Sequence, residues 1–135
     1  MNARVDLPAA REVCPTTTRR LIGEGALLVD VRELDEVAQV AFDVPGTLLM
    51  PMSELEQRFA ELPRDRQLVL VCGVGDRSLK ATYFLMFHGY TQVANMQGGI
   101  IKWARKGFPI TGQAPVAVAA AGGCCSTAPG KGGCC

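Results

Sequence analysis

The sequence predicts an α/β fold with a mostly parallel central sheet flanked by helices on both faces. Three observations point to it. Short segments such as "ALLVDV" and "QLVLV" are apolar nearly throughout, without the polar alternation of a half-exposed strand. Strands buried on both faces read this way and belong to parallel sheets. Segments of about ten residues with helical start and stop signals separate them. Finally, 48% of the 135 residues are hydrophobic, enough for one packed core.

In chain order, "EVC" (12–14) reads as a short strand. "PTTTRRLIGEG" follows as a helix, with Pro15 near its start and Gly23 or Gly25 at its stop. "ALLVDV" (26–31) is a strand ending on an acidic residue, and "ELDEVAQVA" (33–41) a short helix. "GTLLM" (46–50) is a strand. "SELEQRFAEL" (53–62) opens with Ser53 as an N-cap and Glu56 three residues on, a capping box. "QLVLV" (67–71) is a strand, and residues 76–89 form a helix that stops at Gly89. "QVANM" (92–96) and "GGIIKWARKG" (98–107) complete the alternation as a strand and a helix.

Beyond Pro109 the chain turns small, Gly/Ala-rich and nearly uncharged. It offers no large apolar side chains for a core. The expected organisation is therefore one domain over residues 1–111 and a flexible tail over 112–135.

Composition excludes some functions. A net charge of +1 supplies no general pull toward nucleic acid or anionic membrane. No apolar run approaches the roughly 18 residues of a membrane span. The N-terminus "MNARVDLPAAREV" has no apolar core of a secretory signal, so the cytoplasm is the expected location. Four of the six cysteines (Cys124, Cys125, Cys134 and Cys135) crowd into the tail, whereas a disulfide framework would spread them through the fold. Reactive or metal-binding thiols in a reducing compartment fit better.

The most informative stretch is "LVLVCGVGDRSLKA" (68–81). A thiol, Cys72, stands where a buried strand ends, and ligands of open parallel sheets bind outside such carboxyl ends. The thiolate is the nucleophilic form of cysteine. Converging backbone N–H groups and a helix N-terminus stabilise its charge. Gly73 and Gly75 let the loop curl around the sulfur, and Arg77 adds positive charge near the helix start. The plainer reading is a buried core thiol, with the glycines forming an ordinary strand-to-helix turn. Four residues, Gly73, Val74, Gly75 and Asp76, separate Cys72 from Arg77. Cysteine phosphatases need a longer loop to surround a phosphate, and Asp76 places a negative charge where a dianion would sit. A small ring of amides suits an atom the size of sulfur.

These residues resemble those of the single-domain rhodaneses, or thiosulfate sulfurtransferase-like proteins. The resemblance covers residues 12–109. It rests on "DVRE" (30–33), "VPGT" (44–47), "CGVGDRS" (72–78), "GG" followed by Trp103, and "KGFPI" (106–110), in that order. It implies a catalytic persulfide on Cys72 and a persulfide-cradling loop of Gly73, Val74, Gly75, Asp76, Arg77 and Ser78. It also implies structural support from Asp30 and Arg32, with no cofactor. The implied reaction moves a sulfane sulfur from a small donor, such as thiosulfate or a low-molecular-weight persulfide, to cyanide, a thiol or a carrier-protein cysteine. Nucleic acid and membrane are not expected partners.

Two departures accompany the resemblance. Phe42-Asp43-Val44-Pro45-Gly46-Thr47 stands where the family often has Gly-His-Ile-Pro-Gly-Ala. The opening Cys-Gly-x-Gly is also similar to sulfurtransferases that use mercaptopyruvate, from which Asp76 and Arg77 then depart.

The remaining candidates have plainer readings. His88 belongs to the last turn of its helix, where it meets the C-terminal dipole. It is one helix length from Cys72, roughly 15 Å or more, too far for a Cys-His dyad. Trp103, Ile100 and Ile101 read as core, and Cys14 as a bystander. The carboxylates between Asp30 and Glu36 read as a strand end and a solvated helix start. The tail pairs, Cys124-Cys125 and Cys134-Cys135, could relay sulfur, bind Zn²⁺ or Cu(I), or do neither. A metal-handling or thiol-buffering protein on the same scaffold is therefore the main alternative function, and a cysteine phosphatase or arsenate reductase the lesser one.

Overall fold

The computed structural model describes residues 9–112. Its elements are β1 (Arg11–Val13), α1 (Pro15–Gly23), β2 (Leu27–Asp30), α2 (Leu34–Gln39), β3 (Val40–Phe42), β4 (Leu48–Leu49), α3 (Met52–Arg58), β5 (Leu68–Val71), α4 (Asp76–Phe87), β6 (Val93–Met96), α5 (Gly99–Arg105) and β7 (Ile110–Gly112), with a 3-10 turn at Phe59–Glu61. Five strands form the central sheet in the order β1-β6-β5-β2-β4, and every neighbouring pair is parallel. This is the expected α/β architecture.

Period-two alternation assigns each strand residue to one of two cores. Val69 and Val71 of β5 join Leu28, Ala94, Met96, Ile100 and Trp103 on the α1/α5 side. Leu68 and Leu70 join Val29, Leu55, Ala81, Leu85 and Val93 on the α3/α4 side. Each β5 residue is fully buried, as a central strand covered on both faces requires.

The segment expected to be helical through residue 41 is helical only to Gln39. Val40–Phe42 is a strand, paired antiparallel with β7 in the register Val40↔Gly112, Ala41↔Thr111 and Phe42↔Ile110. Packing explains the switch. Val40 and Phe42 are both buried, and the Phe42 ring meets Trp103 edge-on at 5.2 Å. No strand was expected at 110–112, which straddles the expected end of the domain at residue 111.

The capping box also lies elsewhere than expected. α3 starts one residue before Ser53, after Pro51, without a side-chain cap of its own. The box is at α2, where the Glu33 side chain accepts from the Glu36 N–H and the Glu36 side chain from the Glu33 N–H. Glu33 also accepts from the N–H of Ser53 at 3.1 Å and its hydroxyl at 2.8 Å. It therefore satisfies a first-turn donor of α3 from a neighbouring helix.

Asp30 and Arg32 form a buried ion pair at 2.8 Å, with side chains only 3% and 2% exposed. The Asp30 carboxylate accepts further bonds from the Arg32 N–H at 3.1 Å and Nε at 3.0 Å. The pair fixes the turn that carries the chain from β2 toward α2. Removing one partner of such a pair costs about 3–5 kcal/mol, because the other charge stays buried alone. Asp30→Asn is expected to lower Tm by more than ~10 °C. Replacing both partners with apolar residues is expected to recover much of that loss in the same thermal melts.

Candidate active site

Cys72 directly follows β5 and keeps its alternation, so its side chain enters the α3/α4 core in phase with Leu68 and Leu70. The residue has no exposed surface. Three donors converge on its sulfur: the N–H of Gly75 at 3.0 Å, the N–H of Ser78 at 3.4 Å and the Ser78 hydroxyl at 3.3 Å. Gly75 reaches this geometry with φ of +107°, and a Cβ there would press on the Gly98 backbone nitrogen at 3.1 Å. Directly after it the twelve-residue α4 begins, with its positive dipole end at the sulfur. Of the expected loop residues 73–78, Gly75 and Ser78 donate to the sulfur, and the start of α4 lies beside it.

The loop is clamped from behind by α5. The N–H of Ile100 donates to the Cys72 carbonyl at 2.9 Å, and that of Ile101 to the Gly73 carbonyl at 3.3 Å. Gly99 must be glycine for this approach, since a Cβ would run into both carbonyl oxygens. The "GG" before Trp103 therefore serves the thiol loop as well as the helix start.

A buried polar chain leads away from the sulfur. The Ser78 hydroxyl also contacts the Asn95 side-chain oxygen, and Asn95 Nδ2 donates to Glu12 Oε1 at 3.3 Å. Ser78 and Asn95 are both buried. One hydroxyl proton thus faces two acceptors, the sulfur and the amide oxygen. Sequence reasoning missed Asn95. The available signal was a polar residue inside "VANM", in phase with Val93 and so on the α4 side of β6.

Asp76 Oδ1 lies 3.9 Å from the Cys72 sulfur and accepts from the Arg77 N–H at 2.7 Å. Arg77 departs from expectation. Its guanidinium is engaged by Glu36 of α2 in a two-point ion pair, Nη1 to Oε2 at 2.8 Å and Nη2 to Oε1 at 2.9 Å. It lies over the loop, 3.2 Å from where a Cβ on Gly73 would stand. The Arg77 hydrogen bonds are the largest cause holding the Glu36 carboxyl below its ordinary value of 4.5. The same bonds raise Arg77 further above its ordinary value, with smaller contributions from the charges of Cys72 and Asp76. Glu36 was read only as part of a solvated helix start; its pairing crosses 41 positions of sequence, beyond any local pattern.

Beside the loop is a cavity of about 170 Å³ lined by Arg32, Glu36, Val40, Gly73, Ile100 and Ile101. Val74, at the loop tip, is 57% exposed. The other candidates lie apart from the thiol. His88 follows α4 at its far end, with its ring 4.4 Å from those of Phe59 and Phe84. Cys14 is buried at the N-cap of α1. Cys124, Cys125, Cys134 and Cys135 lie outside the described residues. Among the described residues, no helix is long and apolar enough to cross a membrane.

Two outcomes are expected. Ser78→Ala removes the hydroxyl donor 3.3 Å from the Cys72 sulfur, and such a bond to a thiolate would be worth about 1.5–3 kcal/mol. Alkylation of Cys72 by iodoacetamide at neutral pH should slow on the order of ten-fold. The second concerns acid stability. The folded Glu36 titrates below its unfolded value, so its pair with Arg77 stabilises the fold fully above about pH 4.5. That contribution is lost as pH falls through the lower folded value. Tm measured against pH should therefore fall less steeply on the acid side in Glu36→Gln than in the unaltered chain.

Comparison with known proteins agrees with this geometry. A family described as "Rhodanese-like domain" matches residues 15–106. A "Sulfurtransferase" of Allochromatium vinosum is 46% identical over 87 residues, covering 64% of this chain and 79% of that protein. Human "Thiosulfate:glutathione sulfurtransferase" is 37% identical over 103 residues, covering 65% and 88%. Among solved structures, the polysulfide-sulfur transferase homodimer of Wolinella succinogenes superposes with a TM-score of 0.69 at 26% identity, covering 78% of this chain and 81% of that one. With the parallel sheet, the thiol loop and these matches together, the chain belongs to the rhodanese-like domain family.

Proposed function

We propose that the protein is a sulfurtransferase that carries a sulfane sulfur on Cys72. One observation carries the reading: three hydrogen-bond donors and a helix N-terminus converge on a single cysteine sulfur. In the first step the Cys72 thiolate attacks the outer sulfur of a donor such as thiosulfate. A new S–S bond forms, the donor's S–S bond breaks, and its electron pair leaves with sulfite. The resulting persulfide anion sits among the same donors, which stabilise its charge. In the second step cyanide, a thiolate or the cysteine of a sulfur-carrier protein attacks the outer sulfur. The Cys72 S–S bond breaks and its thiolate is regenerated. Electrons balance across the two steps, so the cycle needs no added oxidant or reductant. The name of the human relative supports a thiol as acceptor.

Phosphate-ester chemistry fits the loop poorly. Asp76 brings a carboxylate oxygen to 3.9 Å from the sulfur, where a phosphate's own charges would be repelled. Arg77, the cation expected near the helix start, is already paired with Glu36.

Cys72→Ser is expected to abolish thiosulfate:cyanide transfer while preserving the far-UV circular dichroism spectrum. Neither the unaltered chain nor the variant should hydrolyse an aryl phosphate. Transfer that persists in the variant, or a phosphatase rate that depends on Cys72, would overturn the reading.

A further inference from the structure

We infer that Glu36 is a specificity-determining residue that selects sulfur donors by charge, holding Arg77 in a closed ion pair over the thiol loop so that the site disfavours oxyanion donors. The inference rests on the proposed sulfur transfer and names its substrate preference: persulfides carrying little charge near the reacting sulfur, rather than a compact dianion such as thiosulfate.

The geometry leads there in three steps. First, the guanidinium of Arg77 lies over Gly73, the residue next to Cys72 in the thiol loop. Left alone, it would attract an anionic donor to the thiol. Second, Glu36 occupies the Nη1/Nη2 end of the guanidinium at 2.8 and 2.9 Å. The paired charges offer an incoming anion little net attraction, and a donor oxyanion could bond the Nη1/Nη2 end only by displacing the carboxylate seated there. Third, Asp76 adds a carboxylate 3.9 Å from the sulfur, its Oδ1 bonded by a backbone N–H of the α4 start and by no cationic side chain among the hydrogen bonds of the site. Arg77, Glu36 and Asp76 together thus carry net negative charge, the sign that repels a dianion.

Glu36 also faces the cavity of about 170 Å³ beside Gly73, whose lining includes Val40, Ile100 and Ile101. That cavity is lined also by Arg32 and Gln39, and its apolar side, Val40, Ile100 and Ile101, would accept the organic part of a low-molecular-weight persulfide, a part thiosulfate lacks. The same residue therefore withholds the cation from small oxyanions and borders the space an organic donor would fill.

Glu36→Gln tests this cleanly. Glutamine is nearly isosteric and can keep the α2 capping box, since its side-chain oxygen also accepts from the Glu33 N–H. The variant removes charge while the helix start remains. Two readouts are needed. The first compares alkylation of Cys72 by iodoacetate, an anion, with that by uncharged iodoacetamide, in the full chain. Glu36→Gln should raise the iodoacetate/iodoacetamide rate ratio by on the order of three- to ten-fold at low salt, and the rise should shrink in high salt. Adding Arg77→Gln to that variant removes both charges and should return the ratio to within about two-fold of the original, as a coupled pair requires. The second readout is steady-state transfer: KM for thiosulfate should fall several-fold in Glu36→Gln with kcat changed much less.

An unchanged alkylation ratio overturns the inference, whatever the activity. A raised ratio with no thiosulfate turnover by any form of the protein supports charge selection by Glu36 and instead counts against thiosulfate transfer as the proposed chemistry. A raised ratio with KM for thiosulfate unchanged or increased overturns the inference, because the exposed cation would then not serve the donor.

Discussion

The site depends on where β5 ends in its alternation. Leu68, Leu70 and Cys72 share one face, and that face lies under α4. A one-residue slip would turn every side chain of the strand to the opposite layer and take the thiol away from its donors. The register is held on both sides, by β2 (Asp30↔Val71) and by β6 (Leu70↔Asn95). Asn95 is then in position to reach Ser78, and Ser78 to reach the sulfur. The hydrophobic pattern of one buried strand thus fixes a chemical geometry at its own end.

Two ion pairs frame the loop in different dielectric settings. Asp30–Arg32 is sealed from water, so its worth lies mainly in what happens when it is broken. Arg77–Glu36 is about one third exposed on both partners. Water and salt screen it, so its contribution to stability is small, and a competing anion could exchange with it. The first pair is suited to holding shape and the second to discriminating among charged ligands. The α5 N-terminus supplies the third support, through N–H bonds to the Cys72 and Gly73 carbonyls.

Much of this was legible in the sequence. Uniformly apolar runs gave the parallel strands, and "CGVGDRS" gave the thiol, the curled loop and the helix start. What was not legible depended on contacts distant in sequence. Val40–Phe42 reads as the end of a helix until Trp103 and β7 are placed beside it. Ser53 looks like a cap, but Pro51 starts the helix earlier and Glu33 arrives from another helix to bond it. Glu36 looks like a solvated carboxylate until Arg77 reaches it. In each case a local signal was overruled by a partner brought in by the fold.

The central claim is that the donors around Cys72 exist to hold a sulfur-bound charge. The most direct test is the intact mass of the full chain after incubation with thiosulfate or an organic persulfide and removal of excess donor, followed by peptide mapping. The account predicts one added sulfur atom, located on the peptide containing Cys72, stable until cyanide or a thiol is added and then lost. A chain that gains no sulfur from either donor, or that gains it with Cys72 replaced by serine, would contradict it.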